Sequence, residues 1–255
     1  MTFPIHTEHI ENTINDMIYH DHHSLEFVYC INGEAIYYIN NKKIFLNKGT
    51  ALFINRHVLH KRLSSSAHLM TLSIEREAFS MNGSLLNYFD SYFNTFHSPY
   101  LLINDYSIHR LITQLYGLLN IPEWEPFRIL SSASLLCQNI IELLPESLPL
   151  ENYDLLLDMI HYLQKNLSHK ITIQDLADET GICRSRCCSL FSAYLDITPM
   201  AYLNDLRLAY SIQLLKTDAS IVSISKKCGF KHPSYFNTQF KKRYHMTPLE
   251  YRHSF

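Results

Sequence analysis

The chain has 255 residues, of which 47% are apolar, and its formal net charge is −2. This length and apolar content suffice for one or two hydrophobic cores, so we expect two domains. No run reaches 18 uninterrupted apolar residues and the N-terminus lacks signal-peptide features, which argues against membrane insertion and secretion and for a cytoplasmic protein.

Short runs of β-branched and aromatic residues near the N-terminus predict strands. They are separated by asparagine- and glycine-rich turn signals and lie at 27–31, 35–39, 44–46 and 51–54. Strands this short and evenly spaced predict a small antiparallel barrel or sandwich. We assign this sheet domain to residues 1–100, with strand-like patterning from about Met17 to Leu72.

Two amphipathic helices are predicted next, at about Asp105–Leu119 and Phe127–Leu144, because apolar residues recur there at helical spacing. The stiff Pro145–Pro149 segment then interrupts the pattern, and we place the domain boundary there. The helical segment is thus 101–146 and the C-terminal domain is 150–255.

The C-terminal domain contains one pattern twice. Gly181 and Gly229 are 48 residues apart, whereas the pairs Thr198-Pro199 and Thr247-Pro248 are 49 apart. Each copy predicts a helix, a glycine turn and a second helix, which indicates two helix-turn-helix units in tandem. The predicted helix caps carry hydroxyl groups: Thr172, Thr198 and Thr247.

One long helix, from Pro199 to about Lys216, is predicted to join the two copies. At 1.5 Å per residue it spans roughly 26 Å. With the helices on either side, it could hold two recognition helices about one duplex turn, ~34 Å, apart on the same side of DNA.

Charge is divided unevenly along the chain. Residues 1–150 hold 9 basic and 14 acidic residues, a net charge of −5, and residues 151–255 hold 13 and 10, a net charge of +3. From Ala219 to the end there are 7 basic residues and one acid, Glu250. This asymmetry is typical of a phosphate-contacting domain attached to an acidic one, so we expect double-stranded DNA as a partner.

An ordered set of residues runs through both copies: Leu176-Ala177, Leu190-Phe191, Tyr202-Leu203, Arg207-Leu208, Cys228-Gly229-Phe230, Tyr235-Phe236, Gln239-Phe240 and Tyr251-Arg252. With the glycines and Thr-Pro pairs, this set resembles the AraC family of bacterial transcription regulators from Ile171 to Arg252. The resemblance implies that helices near Arg184–Leu195 and Pro233–Tyr244 enter the major groove. It also implies an activator that works near promoter-bound RNA polymerase.

The resemblance further implies which side chains face DNA. Those facing base edges from the first helix are Arg184, Ser185, Arg186, Cys188 and Ser189. Those on or near the second are Lys231, His232, Ser234, Asn237 and Thr238. Phosphate contacts are expected from Lys241, Lys242 and Arg243. The residues assigned to the core are Leu190, Phe191, Tyr235, Phe236 and Phe240.

The chain departs from the family pattern at several positions. Asp196 and His245 stand where the family usually has a glycine that ends a helix, so we expect positive φ angles with some strain. Ser189 occupies a position that is often basic in the family. An alternative is therefore an interaction protein that no longer reads DNA. The six cysteines form no CxxC pair, and we expect reduced thiols. Three of them, at 183, 187 and 188, could make DNA binding redox-sensitive or simply pack.

A histidine-rich pattern begins just before the first predicted strand: His20, His22, Glu26 and Gly33 are spaced as H-x-H-x3-E-x6-G. A second segment runs from Gly49 to His60. Together they resemble the two motifs of the cupin barrel, although the second is imperfect at Asn55, His57 and Ser64. The choice of a barrel over a sandwich for residues 1–100 rests on this resemblance. In metal-binding cupins the matching residues, His20, His22, Glu26 and His60, would hold Fe, Mn, Zn or Ni.

Other uses of this region remain open. The same four residues could contact a small organic effector or serve the structure alone. The aromatics Tyr29, Tyr37, Tyr38, Phe45 and Phe53 could line a pocket or form ordinary core. The two helices match the segment through which such regulators form homodimers, but a helix pair within one chain explains their periodicity equally. A cupin enzyme fused to a DNA-binding domain is a further alternative, with no pattern that supports a reaction.

Overall fold

The computed structural model describes residues 4–11, 18–63, 67–93, 98–121, 125–145 and 151–254. The chain forms two compact units, Met1–Glu151 and Asn152–Phe255. Met17, Ser64 and residues 146–149 of the predicted boundary lie outside the described residues. Among the helices of the described ranges, none combines the length and hydropathy needed to cross a lipid bilayer.

Two antiparallel sheets form the first unit. The strands are β1 (Ile5–Glu11), β2 (Leu25–Asn32), β3 (Glu34–Ile39), β4 (Lys42–Asn47), β5 (Ala51–Ile54), β6 (His60–Arg62), β7 (His68–Ile74) and β8 (Tyr100–Ile103). One sheet has the order β1-β7-β2-β5-β8, and the other has the order β4-β3-β6. The fold class is therefore confirmed: an antiparallel sheet-rich domain precedes a helical one.

Side-chain alternation fixes which face of each strand is buried. In β3, Ala35, Tyr37 and Ile39 are buried while the residues between them are only partly covered. The turn from β3 to β4 is made by Asn40 and Asn41, both at positive φ (47° and 62°), the conformation of a tight hairpin turn.

Helices cover the first unit: a 3-10 helix (Arg76–Phe79), α1 (Gly83–Phe93), α2 (Tyr106–Leu119) and α3 (Pro126–Leu143). The predictions of α2 and α3 are confirmed, whereas α1 was not predicted. Ile112 of α2 and Leu136 of α3 lie in one core with Phe27 and Phe53 of the sheet. The apolar periodicity of both helices is thus used within the chain.

The second unit is entirely helical: α4 (Tyr153–Asn166), α5 (Ile173–Thr180), α6 (Arg184–Leu195), α7 (Pro199–Leu215), α8 (Ile221–Lys227), α9 (Pro233–Tyr244) and α10 (Pro248–Arg252). The first helix-turn-helix unit is α5–α6 and the second is α8–α9. The predicted caps are confirmed, since the hydroxyls of Thr172, Thr198 and Thr247 each accept a hydrogen bond from an amide in the first turn.

The expected left-handed turns are also present. Asp196 ends α6 at φ 56° and His245 ends α9 at φ 61°. Both residues therefore adopt the conformation that favours glycine. His57, which replaces the glycine of the second cupin-like motif, likewise has φ 56°.

Candidate effector site and nucleic-acid interface

A cluster of histidines surrounds one carboxylate in the first unit. Glu26 lies on β2 and His60 on β6, so the cluster connects the two sheets. Glu26 Oε2 is 3.1 Å from His22 Nε2 and 3.2 Å from His60 Nε2. His20 forms an isolated bridge with His60, and their ring centroids are 4.3 Å apart.

Backbone carbonyls orient the histidine rings. Nδ1 of His22 is 2.9 Å from the carbonyl oxygen of Ser24, and Nδ1 of His60 is 2.8 Å from that of Val58. Because a carbonyl oxygen only accepts, the proton of each ring lies on Nδ1 when the ring is neutral. Each Nε2 lone pair would then face the Glu26 carboxylate, which requires either a proton or a cation between them.

The ionisation of the cluster follows from these contacts. Burial opposes the charge on Glu26, but hydrogen bonds from His22 and His60 outweigh it and hold the pKa of Glu26 well below its usual range. Burial also opposes the charge on His22, yet its hydrogen bond to Glu26 raises the pKa of His22 overall. Burial, assisted by the charge of His60, lowers the pKa of His20 to about 4, so His20 is neutral near pH 7.

The donors of His22, Glu26 and His60 suit a metal ion. One ligand atom from each lies within 4.8 Å of the other two, and these three form the only such group among the described residues. Imidazole nitrogens with a carboxylate are typical ligands of Zn, Fe and Ni, and an Nδ1–H bonded to a carbonyl is the usual support of a ligating histidine. His20 is outside this donor set.

A groove of about 450 Å³ adjoins the cluster. It is lined by His6, His22, His23, Ser24, Glu75 and Glu77, so His22 belongs to both the cluster and the groove. Beside it, His57 stacks edge-on with His23 at 4.7 Å, and His57 Nδ1 is 3.5 Å from Asp21. Asp21, His23 and His57 were not predicted as site residues, although the three histidines and one aspartate from His20 to His23 were a visible signal.

The aromatic residues predicted to line a pocket lie in different environments. Tyr37 and Phe53 are buried in the core, whereas Phe45 is 52% exposed and lies under Lys43. Phe45 therefore faces away from the interior.

Helix α6 presents all five of its predicted DNA-facing residues to solvent: Arg184, Ser185, Arg186, Cys188 and Ser189. Its other face, with Cys187, Leu190 and Phe191, is buried. Ser189 is partly engaged, because its hydroxyl donates to the Arg186 carbonyl oxygen at 2.9 Å.

Helix α9 and the turn before it expose the second predicted set: Lys231, His232, Ser234, Asn237, Thr238, Lys241 and Lys242. Phe236 and Phe240 are buried as predicted. The assignment of Tyr235 to the core was wrong, since Tyr235 is 47% exposed and its hydroxyl accepts a hydrogen bond from Asn204 Nδ2 at 3.4 Å.

Comparison with known proteins agrees with this architecture. The family model described as the AraC-like ligand binding domain matches residues 6–137, just over half of the chain. The chain belongs to the AraC family. A second model, described as a helix-turn-helix domain, matches residues 176–254 of this AraC-family chain, which comprise most of α5 and all of α6 to α10.

Curated relatives match part of this AraC-family member. The uncharacterized HTH-type transcriptional regulator YdeC of Bacillus subtilis is 34% identical over 95 residues, 37% of this chain and 33% of that protein. The lactose operon transcription activator of Staphylococcus xylosus is 33% identical over 97 residues, 38% of this chain and 35% of that protein. The chain thus spans about a third of the length of these relatives.

Among solved structures, ToxT from Vibrio cholerae has the same fold over almost its whole length. One ToxT structure aligns with a TM-score of 0.59 at 17% identity, covering 98% of this chain and 97% of ToxT. Another, described as bound to an unsaturated fatty acid, aligns with a TM-score of 0.58 at 16% identity and covers 97% of this chain and 94% of ToxT.

Proposed function

We propose that the protein is a sequence-specific DNA-binding transcription regulator controlled by an effector in its first unit. The observation that carries this proposal is the exposure of polar and basic residues on α6 and α9, the second helices of two tandem helix-turn-helix units. In such units the second helix lies in the major groove with its N-terminal residues at base edges.

The two helices would contribute differently to recognition. Arg184 and Arg186 supply the strongest hydrogen-bond donors of α6, and an arginine is well matched to guanine. On α9, Asn237 suits adenine, while Lys241 and Lys242 would contact phosphate and add affinity without sequence information.

The effector site would be the cluster of His20, His22, Glu26 and His60. A divalent transition-metal ion would be held by His22, Glu26 and His60, and its charge would satisfy the two Nε2 atoms that face the carboxylate. A small organic effector in the adjoining groove is the alternative. ToxT, which has this fold, is described with a bound fatty acid.

Ligand control would begin at this cluster. It connects β2 of one sheet with β6 of the other, so a ligand that prefers one arrangement of the sheets would shift the population of that arrangement. A ligand that binds both arrangements equally would have no regulatory effect.

The remaining assignments rest on the family. An activator that works beside RNA polymerase in the cytoplasm fits the relatives that carry activator names. A homodimer would use apolar residues that α3 leaves exposed, namely Phe127, Leu135 and Leu143. We favour a regulator over an enzyme because the curated relatives are transcription regulators.

Selection of DNA from a random duplex library by the full-length protein tests the DNA-binding proposal. We expect two short boxes about one helical turn apart, ~34 Å. Asn237→Ala/Thr238→Ala should relax the preference within one box only. An unchanged preference would contradict the proposed register of α9, and no enrichment with or without metal would contradict specific DNA binding.

Metal analysis tests the effector site. After reconstitution with Fe, Mn, Zn or Ni and desalting, we expect stoichiometric metal in the wild-type protein and in the control His23→Ala, and loss of metal in His22→Ala and Glu26→Gln. Absence of stoichiometric metal from the wild-type protein under all four conditions would leave the organic effector as the better proposal.

A further inference from the structure

A cleft of about 430 Å³ lies within the second unit. Its walls come from three places: Lys170 in the connection between α4 and α5, Asn204 and Arg207 on α7, and the segment from Lys226 to Tyr235. The cleft therefore lies where the joining helix meets the start of the second recognition helix.

The walls of this cleft are strongly basic. Lys170, Arg207, Lys226 and Lys231 all line it, and no carboxylate does. Within the described ranges, none of these lysines forms an ion pair. Asp175, which feels the charge of Lys170, is already engaged in a capping box with Thr172. Four cations thus share one concave surface without a compensating anion.

Arg207 is the fixed member of this group. Its Nε donates to the carbonyl oxygen of Leu167 and its Nη2 to that of His169, both at 2.7 Å. Both acceptors are neutral, and burial lowers the pKa of the Arg207 guanidinium, as expected for a cation that gains no carboxylate partner. A bound anion would offset this unfavourable burial of charge.

Neutral hydrogen-bonding groups complete the lining. The Tyr235 hydroxyl, on the exposed part of α9, meets the Asn204 side chain of α7. Several N–H and O–H groups beside ammonium and guanidinium groups are the chemistry that recognises a phosphate.

We infer that this cleft binds a backbone phosphate of the operator DNA, at the stretch of duplex between the two recognition helices. This inference rests on the proposed function. A DNA phosphate is favoured over a free anion because the cleft includes Lys231 and His232, which lead directly into α9. Since Lys170 precedes the first helix-turn-helix unit and Lys226 lies in the second, one phosphate held there would fix both units on the duplex.

The test compares salt dependence of binding to the selected operator. Lys170→Ala/Lys226→Ala should reduce the slope of log K against log salt by about 0.9, the value expected for the loss of one phosphate contact. The preferred sequence should not change. The matched control is Lys165→Ala/Lys227→Ala, which removes equal charge from exposed positions outside the cleft. A second variant, Lys170→Gln/Lys226→Gln, removes the same charges but keeps polar side chains. Circular dichroism checks that the variants are folded.

A second experiment locates the phosphate. Each backbone linkage of the operator is replaced in turn by a neutral methylphosphonate. Neutralising one linkage between the two boxes should weaken DNA binding by the wild-type protein and by the control pair. The same change should have no further effect on DNA binding by Lys170→Ala/Lys226→Ala. Equal effects in both proteins, or an unchanged salt slope, would overturn the inference.

Two other results are distinguishable. Calorimetric binding of inorganic phosphate by the wild-type protein, combined with an unchanged salt slope in the double variant, would assign the cleft to a small anion and overturn the DNA assignment. Failure of the wild-type protein to select any DNA sequence would instead contradict the proposed function, and with it the inference.

Discussion

Arg207 donates a hydrogen bond from Nε to the carbonyl oxygen of Leu167 at 2.7 Å, tying the joining helix to the end of α4. Arg252 makes the counterpart bond from α10 to Leu215, the last residue of α7, at 3.3 Å. Leu167 and Leu215 are 48 residues apart, the same offset as the two turn glycines. The two acceptor residues thus occupy equivalent positions in the repeat. The two arginines do not, because they are 45 residues apart, about one helical turn short of that offset.

The two turn glycines should tolerate alanine unequally. Both have positive φ, but a Cβ at Gly181 would meet nothing within 4 Å, whereas one at Gly229 would lie 2.5 Å from Leu167 O and 2.9 Å from Arg207 Nε. Gly181→Ala should cost about 1–2 kcal/mol of unfolding free energy from backbone strain. Gly229→Ala should cost about 3 kcal/mol or more, because it also disrupts charged hydrogen bonds. Urea unfolding measures both, and equal losses would contradict the contact.

Glycine should stabilise the fold at the two helix ends that have positive φ, Asp196 and His245. An L-residue in this conformation costs about 1–2 kcal/mol, and glycine gives back about 0.5–1 kcal/mol in unfolded-state entropy. Asp196→Gly and His245→Gly should therefore each raise the free energy of unfolding by about 0.5–1 kcal/mol. Asp196→Ala is the control and should not stabilise, because alanine retains the Cβ. Thermal or urea unfolding measures the free energy of unfolding of the three variants. Equal stabilisation by Asp196→Ala and Asp196→Gly would contradict the strain.

Cys183 should be the most reactive thiol of the described part of the chain. Its hydrogen bond with the Ser185 hydroxyl, assisted by the backbone of Arg186, lowers the pKa of this exposed thiol. Burial instead raises the pKa of Cys137 and of Cys228 to about 12. Time-resolved alkylation with iodoacetamide, read by peptide mass spectrometry, should label Cys183 first.

A variant tests the cause of this reactivity. Ser185→Ala should slow labelling of Cys183 while leaving the rate at exposed Cys188 unchanged. Faster labelling of either buried cysteine than of Cys183 would show that the thiol environments differ from those described.

Acid should weaken the second unit through its capping boxes. Hydrogen bonds from the backbone amide and the hydroxyl of Thr172 lower the pKa of Asp175, and those of Thr247 lower the pKa of Glu250. A carboxyl with a lower pKa in the folded state stabilises the fold above its unfolded pKa and loses this effect as pH falls through the folded value. The free energy of unfolding should therefore decline from about pH 4.5 downward.

Substitution identifies the groups responsible for that decline. Asp175→Asn and Glu250→Gln should each make the free energy of unfolding less dependent on pH between about 4.5 and 2.5, measured by urea titration at each pH. Glu179→Gln, on the exposed face of the same helix as Asp175, should leave the profile unchanged. A profile that neither capping variant alters would assign the acid sensitivity to other carboxylates.

Local sequence signals predicted most of the fold because the relevant interactions are local. The strands of the β3–β4 hairpin and the caps of the second unit follow from residues a few positions apart. Strands β1 and β8 were missed, and β6 and β7 were not predicted individually; β1 pairs with β7 and β8 with β5 only through long-range contacts. Tyr235 was misplaced because it adjoins the buried Phe236, and neighbours on a helix point about 100° apart.

The candidate sites were predictable in their residue types but not in their geometry. The spacing of His22, Glu26 and His60 suggested a cluster, yet the carbonyl contacts that direct both Nε2 atoms toward Glu26 depend on loops that no motif encodes. The basic cleft had no sequence signature, because Lys170, Arg207 and Lys226 meet only after three separate segments pack together.

Helix α7 packs against both helix-turn-helix units. Tyr202 near its start packs against Phe191 of α6, whereas Leu208 and Leu215 further along lie in one core with Phe236 of α9. A single residue inserted mid-helix would rotate one recognition helix by about 100° relative to the other and misalign it with the groove. Seven inserted residues, close to two full turns, would restore the relative facing of the two recognition helices but would lengthen α7 by about 10 Å. The length and helical phase of α7 therefore determine which box spacings in an operator the protein can read.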